Sequence, residues 1–150
     1  MKINTDNIEQ LAWDKMQGLL PCIVQDANSG KVLMQGFMNK EAINHTLQSN
    51  HVTFYSRSKQ RLWTKGETSG HTLDLVELSA DCDQDSILAL AKPNGPTCHT
   101  GSETCWLDTQ QPDISFIADL EQVIASRKNA DADSSYTASL YASGIKRIAQ

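Results

Sequence analysis

The chain has no long hydrophobic run and no basic excess, and each absence closes off a class of function. No stretch of its 150 residues approaches the ~18 consecutive apolar positions that a membrane span needs. The opening Met1-Lys2-Ile3-Asn4-Thr5-Asp6 lacks the apolar run of a targeting segment, so the expected location is cytoplasmic, with no membrane association. Lysine and arginine number 13 against 18 aspartates and glutamates, a net charge of −5 that argues against a nucleic-acid partner. The deficit runs along the chain, with 9 basic and 13 acidic residues up to Asp108 and 4 and 5 beyond it. Any local cluster of positive charge therefore stands out. Internal repeats and low-complexity tracts are also missing. No C-x-x-C pair exists, which excludes a zinc ribbon. Both H-x-E and P-C-x-x-C are absent, so the zinc nucleobase deaminases are excluded by motif.

What is present is an ordinary globular composition, 39% hydrophobic and 21% charged, long enough for one domain with a real core or one domain plus a fragment. Apolar positions Ile8, Leu11, Ala12 and Met16 predict a short amphipathic helix. Two apolar runs, Leu19 to Gln25 and Val32 to Met38, flank the turn residues Asp26-Ala27-Asn28-Ser29-Gly30 and predict a β-hairpin. Asn39 is placed to cap a helix from Lys40 to about Asn50, with Glu41 near its positive end. His51 to Ser56 is β-branched and aromatic, hence a strand, and Ser58 to Gly70 is polar and glycine-containing, hence a loop. Leu73 to Cys82 alternates like a strand, with a phase switch between Leu75 and Val76 that predicts a bulge. Ile87 to Ala91 is a further apolar run. Beyond Asp108 the residues 109–113 read as a linker. Phe116, Ile117, Leu120, Val123 and Ile124 then share one helical face, and Tyr136, Leu140 and Tyr141 begin a second helix.

Three residue clusters carry chemistry. Cys82, Cys98 and Cys105 are soft donors in a compartment where disulfides are rare. Three protein ligands would leave a coordination position open for water, the arrangement of catalytic zinc; the competing reading is three cysteines packed as small hydrophobes. Cys22, inside Leu-Leu-Pro-Cys-Ile-Val, belongs to the core, and His99 reads equally as a fourth ligand, a general base or a loop histidine. Asp81, Asp83 and Asp85 alternate with Cys82 and Gln84. On an extended segment they would share one face, either as hard ligands for magnesium or calcium or as a solvated acidic edge. An EF-hand is excluded, because its sixth and twelfth positions would be Ser86 and Lys92. Finally Arg57, Lys59, Arg61 and Lys65 crowd one loop opposed by Glu67, with Ser58, Thr64, Thr68 and Ser69 as hydroxyl donors. Such a loop in an acidic protein suits a compact anion such as phosphate, or simply faces solvent. Trp63 either packs under the loop or stacks on a base.

The stretches GLLPCIVQD (18–26), VLMQGFMNKEA (32–42), FYSRSKQRLWTKGETSGH (54–71), DCDQDS (81–86) and CHTGSETCW (98–106) together resemble the phosphoribosyl-AMP cyclohydrolases of histidine biosynthesis. The resemblance implies an α+β fold in which residues 1–108 form a β-rich cyclohydrolase domain and an intertwined homodimer. It implies a zinc ion between Cys82 of one subunit and Cys98 and Cys105 of the other, and magnesium at Asp81, Asp83 and Asp85. The implied reaction, the third step of the pathway, opens the adenine ring of 1-(5-phosphoribosyl)-AMP. Water activated at the metal adds at C6, and the N1–C6 bond breaks. Arg57, Ser58, Lys59, Arg61, Trp63, Lys65, Glu67 and Ser69 are then assigned to the substrate, and His71 and His99 to proton transfer. Residues 114–150 resemble the opening helices of phosphoribosyl-ATP pyrophosphohydrolase, which implies an incomplete all-α fragment with no pyrophosphohydrolase activity of its own. Two other readings compete with the ring-opening enzyme. One is a non-catalytic, zinc-stabilised module that binds a phosphorylated ligand; the other is a nucleotide deaminase attacking C6, whose motifs are absent here.

Overall fold

A computed structural model of the chain describes residues 1–110 and 115–149, which fall into two units, Met1–Gln111 and Pro112–Gln150. Residues 111–113 of the expected linker lie outside the described residues. No helix among the described residues is long and apolar enough to cross a membrane.

The first unit is α+β. Its strands are β1 (Leu20–Asp26), β2 (Val32–Met38), β3 (Thr53–Ser56), β4 (Arg61–Thr64), β5 (Leu73–Ala80) and β6 (Ile87–Pro93), with helix α1 (Lys40–Ser49) after β2. Four strands form a mixed sheet in the order β2-β1-β6-β5, and β3 pairs with β4 in a separate hairpin. The expected β1–β2 hairpin is present and antiparallel, closed by Asp26, whose carboxylate accepts from the Ser29 hydroxyl and the Asn28 amide. β1 and β6 run parallel, a pairing that requires a long crossover, and the chain supplies it through α1 and the β3–β4 hairpin.

Alternation places Leu20, Cys22 and Val24 of β1 and Ile87, Ala89 and Ala91 of β6 inside, all nearly inaccessible. Cys22 is a core residue, as its sequence context predicts, and burial pushes its thiol well above the usual range. The Asn39 side chain accepts from the Ala42 amide at 2.8 Å and starts α1, which ends at Asn50 in a left-handed conformation. Thr46 locks α1 to β3: its hydroxyl donates to Ala42 O and accepts from Thr53 N at 2.9 Å. The expected bulge falls between Leu75 and Glu77 of β5.

Three local expectations are corrected. Residues 8–16 form two separate 3₁₀ turns, Ile8–Gln10 and Trp13–Met16, because the buried Trp13 indole donates back to Ile8 O at 2.8 Å and the chain then turns through Gln17 and Gly18 at positive φ. The loop expected from Ser58 to Gly70 contains a strand, β4, held by pairing along all of β3. The acidic segment is a turn rather than an extended strand: Gln84 is left-handed, and Asp81 folds back to accept from the amides of Asp85 and Ser86.

The second unit is helical over its described residues, with α2 (Ser115–Arg127), α3 (Tyr136–Ser143) and α4 (Ile145–Ile148). The expected apolar face of α2 is present, and its Phe116, Ile117, Leu120, Val123 and Ile124 are all exposed.

Candidate active site

The Cys98–Cys105 segment is fastened to the first unit by backbone chemistry. Thr104, buried, donates its hydroxyl to Val32 O at 2.7 Å, and the Cys105 amide donates to Leu33 O at 2.8 Å at the start of β2. Cys98 closes a tight turn on itself, since its amide donates to Ser102 O and Gly101 donates back to Cys98 O. Gly101 takes φ +91, a conformation that side-chain-bearing residues rarely adopt.

Both thiols open onto a cleft of about 500 Å³ whose walls also carry Trp63, Lys65, His71 and His99. The Thr100 hydroxyl donates to Cys98 Sγ at 3.1 Å; with help from Ser102 and Cys105 it lowers that thiol to about 6. Burial pushes the Cys105 thiol up, and the charge of Cys98 adds to the rise. The pair therefore holds one thiolate at neutral pH, on Cys98. Lys65 is only 7% exposed, and its ammonium donates to His71 O at 3.0 Å. Burial lowers Lys65 while Cys105 and Cys98 pull it back up, so the cation and the thiol pair sense one another. His71 takes its place because Gly95 has no side chain: a Cβ there would lie 2.8 Å from the imidazole Cδ2. Thr97, beside Cys98, is 3% exposed, and its hydroxyl has no hydrogen-bond partner among the described residues. A buried polar atom lining a cleft without a partner is the mark of a site shaped for something else.

The basic loop is split by Trp63, which stacks on Phe54 with ring centroids 5.7 Å apart. Trp63, Lys65, Glu67 and Ser69 line the thiol cleft, whereas Arg57 and Ser58 line a neighbouring hollow of about 610 Å³ that also touches Trp63. Arg57 rests 3.9 Å above the Phe37 ring. Arg61 and Glu67 satisfy each other through a two-pronged ion pair, which holds the Glu67 carboxyl below its usual range. Lys59 is exposed beside them.

Asp81, Asp83 and Asp85 do converge. Their ligand oxygens lie within 4.8 Å of one another, whereas alternate positions of a strand sit ~7 Å apart. No other group of three or more metal-ligating side chains converges so closely among the described residues, so one chain does not gather Cys82 with Cys98 and Cys105. Strand register explains the separation. The Cys82 turn follows Ala80, whose partner Ile87 is level with Cys22 and hence with Gly36; Cys105 is bonded three residues away along β2, at Leu33. Ten ångströms along the strands and three strand spacings across give a gap of roughly 17 Å.

Sequence reading missed Lys15, whose ammonium lies 2.8 Å from Asp83 and 3.5 Å from Asp85. No local pattern could link residues nearly seventy positions apart. It also missed Thr97, Thr100 and Gly95, ordinary loop residues until the fold places them.

Residues 34–107 match the model of the phosphoribosyl-AMP cyclohydrolase family. The chain is similar to histidine biosynthesis bifunctional protein HisIE of Photorhabdus laumondii, 57% identical over 148 residues that cover 99% of this chain and 73% of that protein. It is equally similar to the proteins of that name in Salmonella typhimurium and Escherichia coli, each 58% identical over 94% of this chain and 69% of theirs. The chain belongs to the phosphoribosyl-AMP cyclohydrolase family and is a hydrolase of histidine biosynthesis, corresponding to the cyclohydrolase part of these bifunctional proteins.

Proposed function

We propose that the chain opens the adenine ring of 1-(5-phosphoribosyl)-AMP by hydrolysing its N1–C6 bond, in a homodimer whose zinc is held by Cys98 and Cys105 together with Cys82 of the partner subunit. The observation that carries this reading is the paired thiols of Cys98 and Cys105 in the cleft, with their own Cys82 roughly 17 Å away. Support for a partner comes from the open face of the sheet. Ile23 and Leu88, register neighbours on β1 and β6, are 44% and 39% exposed, with Pro21 and Leu90 on the same face, where a solvated face would alternate polar.

The donor sets fit their metals. Two thiols, one already ionised, suit zinc, and three carboxylates within 4.8 Å suit magnesium. Zinc bound with an open position supplies Lewis acidity and lowers the pKa of water toward ~7. The chain's own residues do the rest. Lys65 presents a buried positive charge to an anionic or electron-rich group of the substrate. Arg57 and Ser58, beyond Trp63, are placed for a second phosphoribosyl group, and Trp63 stands between the two hollows as a wall against the purine. His71 and His99, in the thiol cleft, are placed to carry the proton that N1 must gain as the ring opens.

We further propose that the helices of residues 114–150 are part of a pyrophosphohydrolase-like domain. Their exposed apolar face on α2 and the word bifunctional in the relatives' name support this. The test of the main reading is a spectrophotometric ring-opening assay on phosphoribosyl-AMP. Native protein should turn over, while chelated protein and Cys105→Ser should not; equal turnover in all three would refute the zinc mechanism.

A further inference from the structure

We infer that Lys15 is the resident counter-ion of the acidic turn, and that a divalent cation entering the turn must displace it. The inference rests on the reading that Asp81, Asp83 and Asp85 hold such a cation.

Lys15 is delivered from a fixed base. Its 3₁₀ turn, Trp13–Met16, is anchored by the buried Trp13, and the preceding Ala12 amide donates to Gln84 O at 2.9 Å, tying the segment directly to the acidic turn. From there the ammonium lies 2.8 Å from Asp83 Oδ2, 3.5 Å from Asp85 Oδ2 and 3.4 Å from the Asp83 carbonyl. Asp81 is compensated differently, by the amides of Asp85 and Ser86 at 3.1 and 3.2 Å. Two carboxylates of the triplet thus share one ammonium, and the third is held by backbone amides. The ammonium contacts two of the three carboxylates that a cation in the turn would bind.

A protonated amine has no lone pair to offer a metal, so Lys15 cannot remain as a ligand. Magnesium demands oxygens at ~2.0–2.1 Å, which draws the carboxylates inward and places two cations within a few ångströms of each other. The ammonium must leave, and it has somewhere to go: its side chain is 51% exposed, next to open water. An exposed ion pair changes an equilibrium constant by a factor of roughly 1.5 to 5, so surrendering two should weaken apparent cation affinity by about fivefold. Lys15 therefore offsets part of the triplet's negative charge and holds two of its carboxylates when no metal is present, and it sets the cation concentration at which the turn fills. It is a positioning residue, since it touches the metal's ligands and not the reacting atoms.

The probe is Mn²⁺, titrated by calorimetry into the zinc-loaded 150-residue chain at low ionic strength. Lys15→Met should bind roughly fivefold more tightly than native protein, and the advantage should shrink as salt screens the pairing. Lys15→Gln should repeat the gain, and Lys15→Arg, which keeps the charge and can bridge two carboxylates, should stay near native. Asp83→Asn marks the site by weakening binding in every background. Equal or weaker affinity in Lys15→Met refutes the displacement of Lys15 and leaves the acidic turn standing as a cation site. Undetectable Mn²⁺ binding in native and Lys15→Met protein alike refutes the turn as a cation site, and Lys15 as its competitor with it.

Discussion

Two inactive variants of this chain should repair each other. Take Cys82→Ser and Cys105→Ser. In a zinc site divided between subunits, each homodimer lacks one thiolate at both sites. Second-sphere changes already cost up to ~100-fold at such centres, so direct loss of a ligand should cost at least that much. Unfold the two variants together in equal amounts and refold them with zinc: random pairing makes about half of the dimers hybrid. A hybrid has one site that carries both substitutions and one that carries neither. Half of the dimers with one working site of two gives about one quarter of native turnover. Bound zinc per chain should recover in the same proportion, which separates restored assembly from any effect on turnover alone. The expectation of repair follows from the gap of roughly 17 Å that β-sheet register imposes between Cys82 and Cys105 within one chain. If both cysteines served the same subunit, every dimer in the mixture would carry a broken site in each chain and no activity would return. A mixture no better than its components would therefore sink the shared site, as would either variant retaining native turnover.

Other consequences are local. Gly95→Ala forces a side chain onto φ +103 and drives its Cβ to 2.8 Å from the His71 ring; turnover should fall, and urea denaturation should show a loss of about 1–2 kcal/mol. Asn39→Ala removes the cap of α1, a residue that lines neither cleft, so the same measurement should register about 1 kcal/mol while turnover stays native. In metal-stripped protein, Cys98 should alkylate as a thiolate above a midpoint near pH 6 and lose reactivity as pH falls through it. Thr100→Val removes the strongest donor to that sulfur and should move the midpoint upward. An unmoved midpoint would show that Thr100 does not stabilise the thiolate.

The sequence was most legible where a local rule decides the structure. Asn39 caps because its carboxamide reaches an amide three residues on, and the β5 bulge shows itself because the apolar phase slips between Leu75 and Val76. It was least legible where distant residues decide. β4 is a strand because β3 pairs with it, although Arg61–Thr64 sits in a polar loop by composition. Alternating aspartates read as one face of a strand, but a left-handed Gln84 and the backbone amides that Asp81 accepts fold them into a turn. The three cysteines could be named from their types, and a division between subunits was implied by family resemblance, but the sheet register is what separates them within one chain. Lys15 and Thr97 gave no signal at all, because what makes them notable is an ion pair across the fold and a missing hydrogen bond.

Cys82 lies in the same turn as Asp81, Asp83 and Asp85, and this joins the two proposed metals through one element of one chain. Within a subunit that turn is at the far end of the sheet from the thiol cleft. Whichever subunit lends Cys82 to its partner must therefore lend its carboxylates too, so a divided zinc site carries the magnesium site with it. The consequence can be read by the same mixing experiment. Asp83→Asn should behave as a member of the Cys82 group: mixed with Cys105→Ser, it should return about one quarter of native activity, because one site of each hybrid then has an intact turn and an intact pair of thiols. Mixed with Cys82→Ser it should return nothing, since every site receives a damaged turn from one chain or the other. Recovery in that second mixture would mean that Asp83 and Cys82 serve different sites, and the two metals would have to be placed apart.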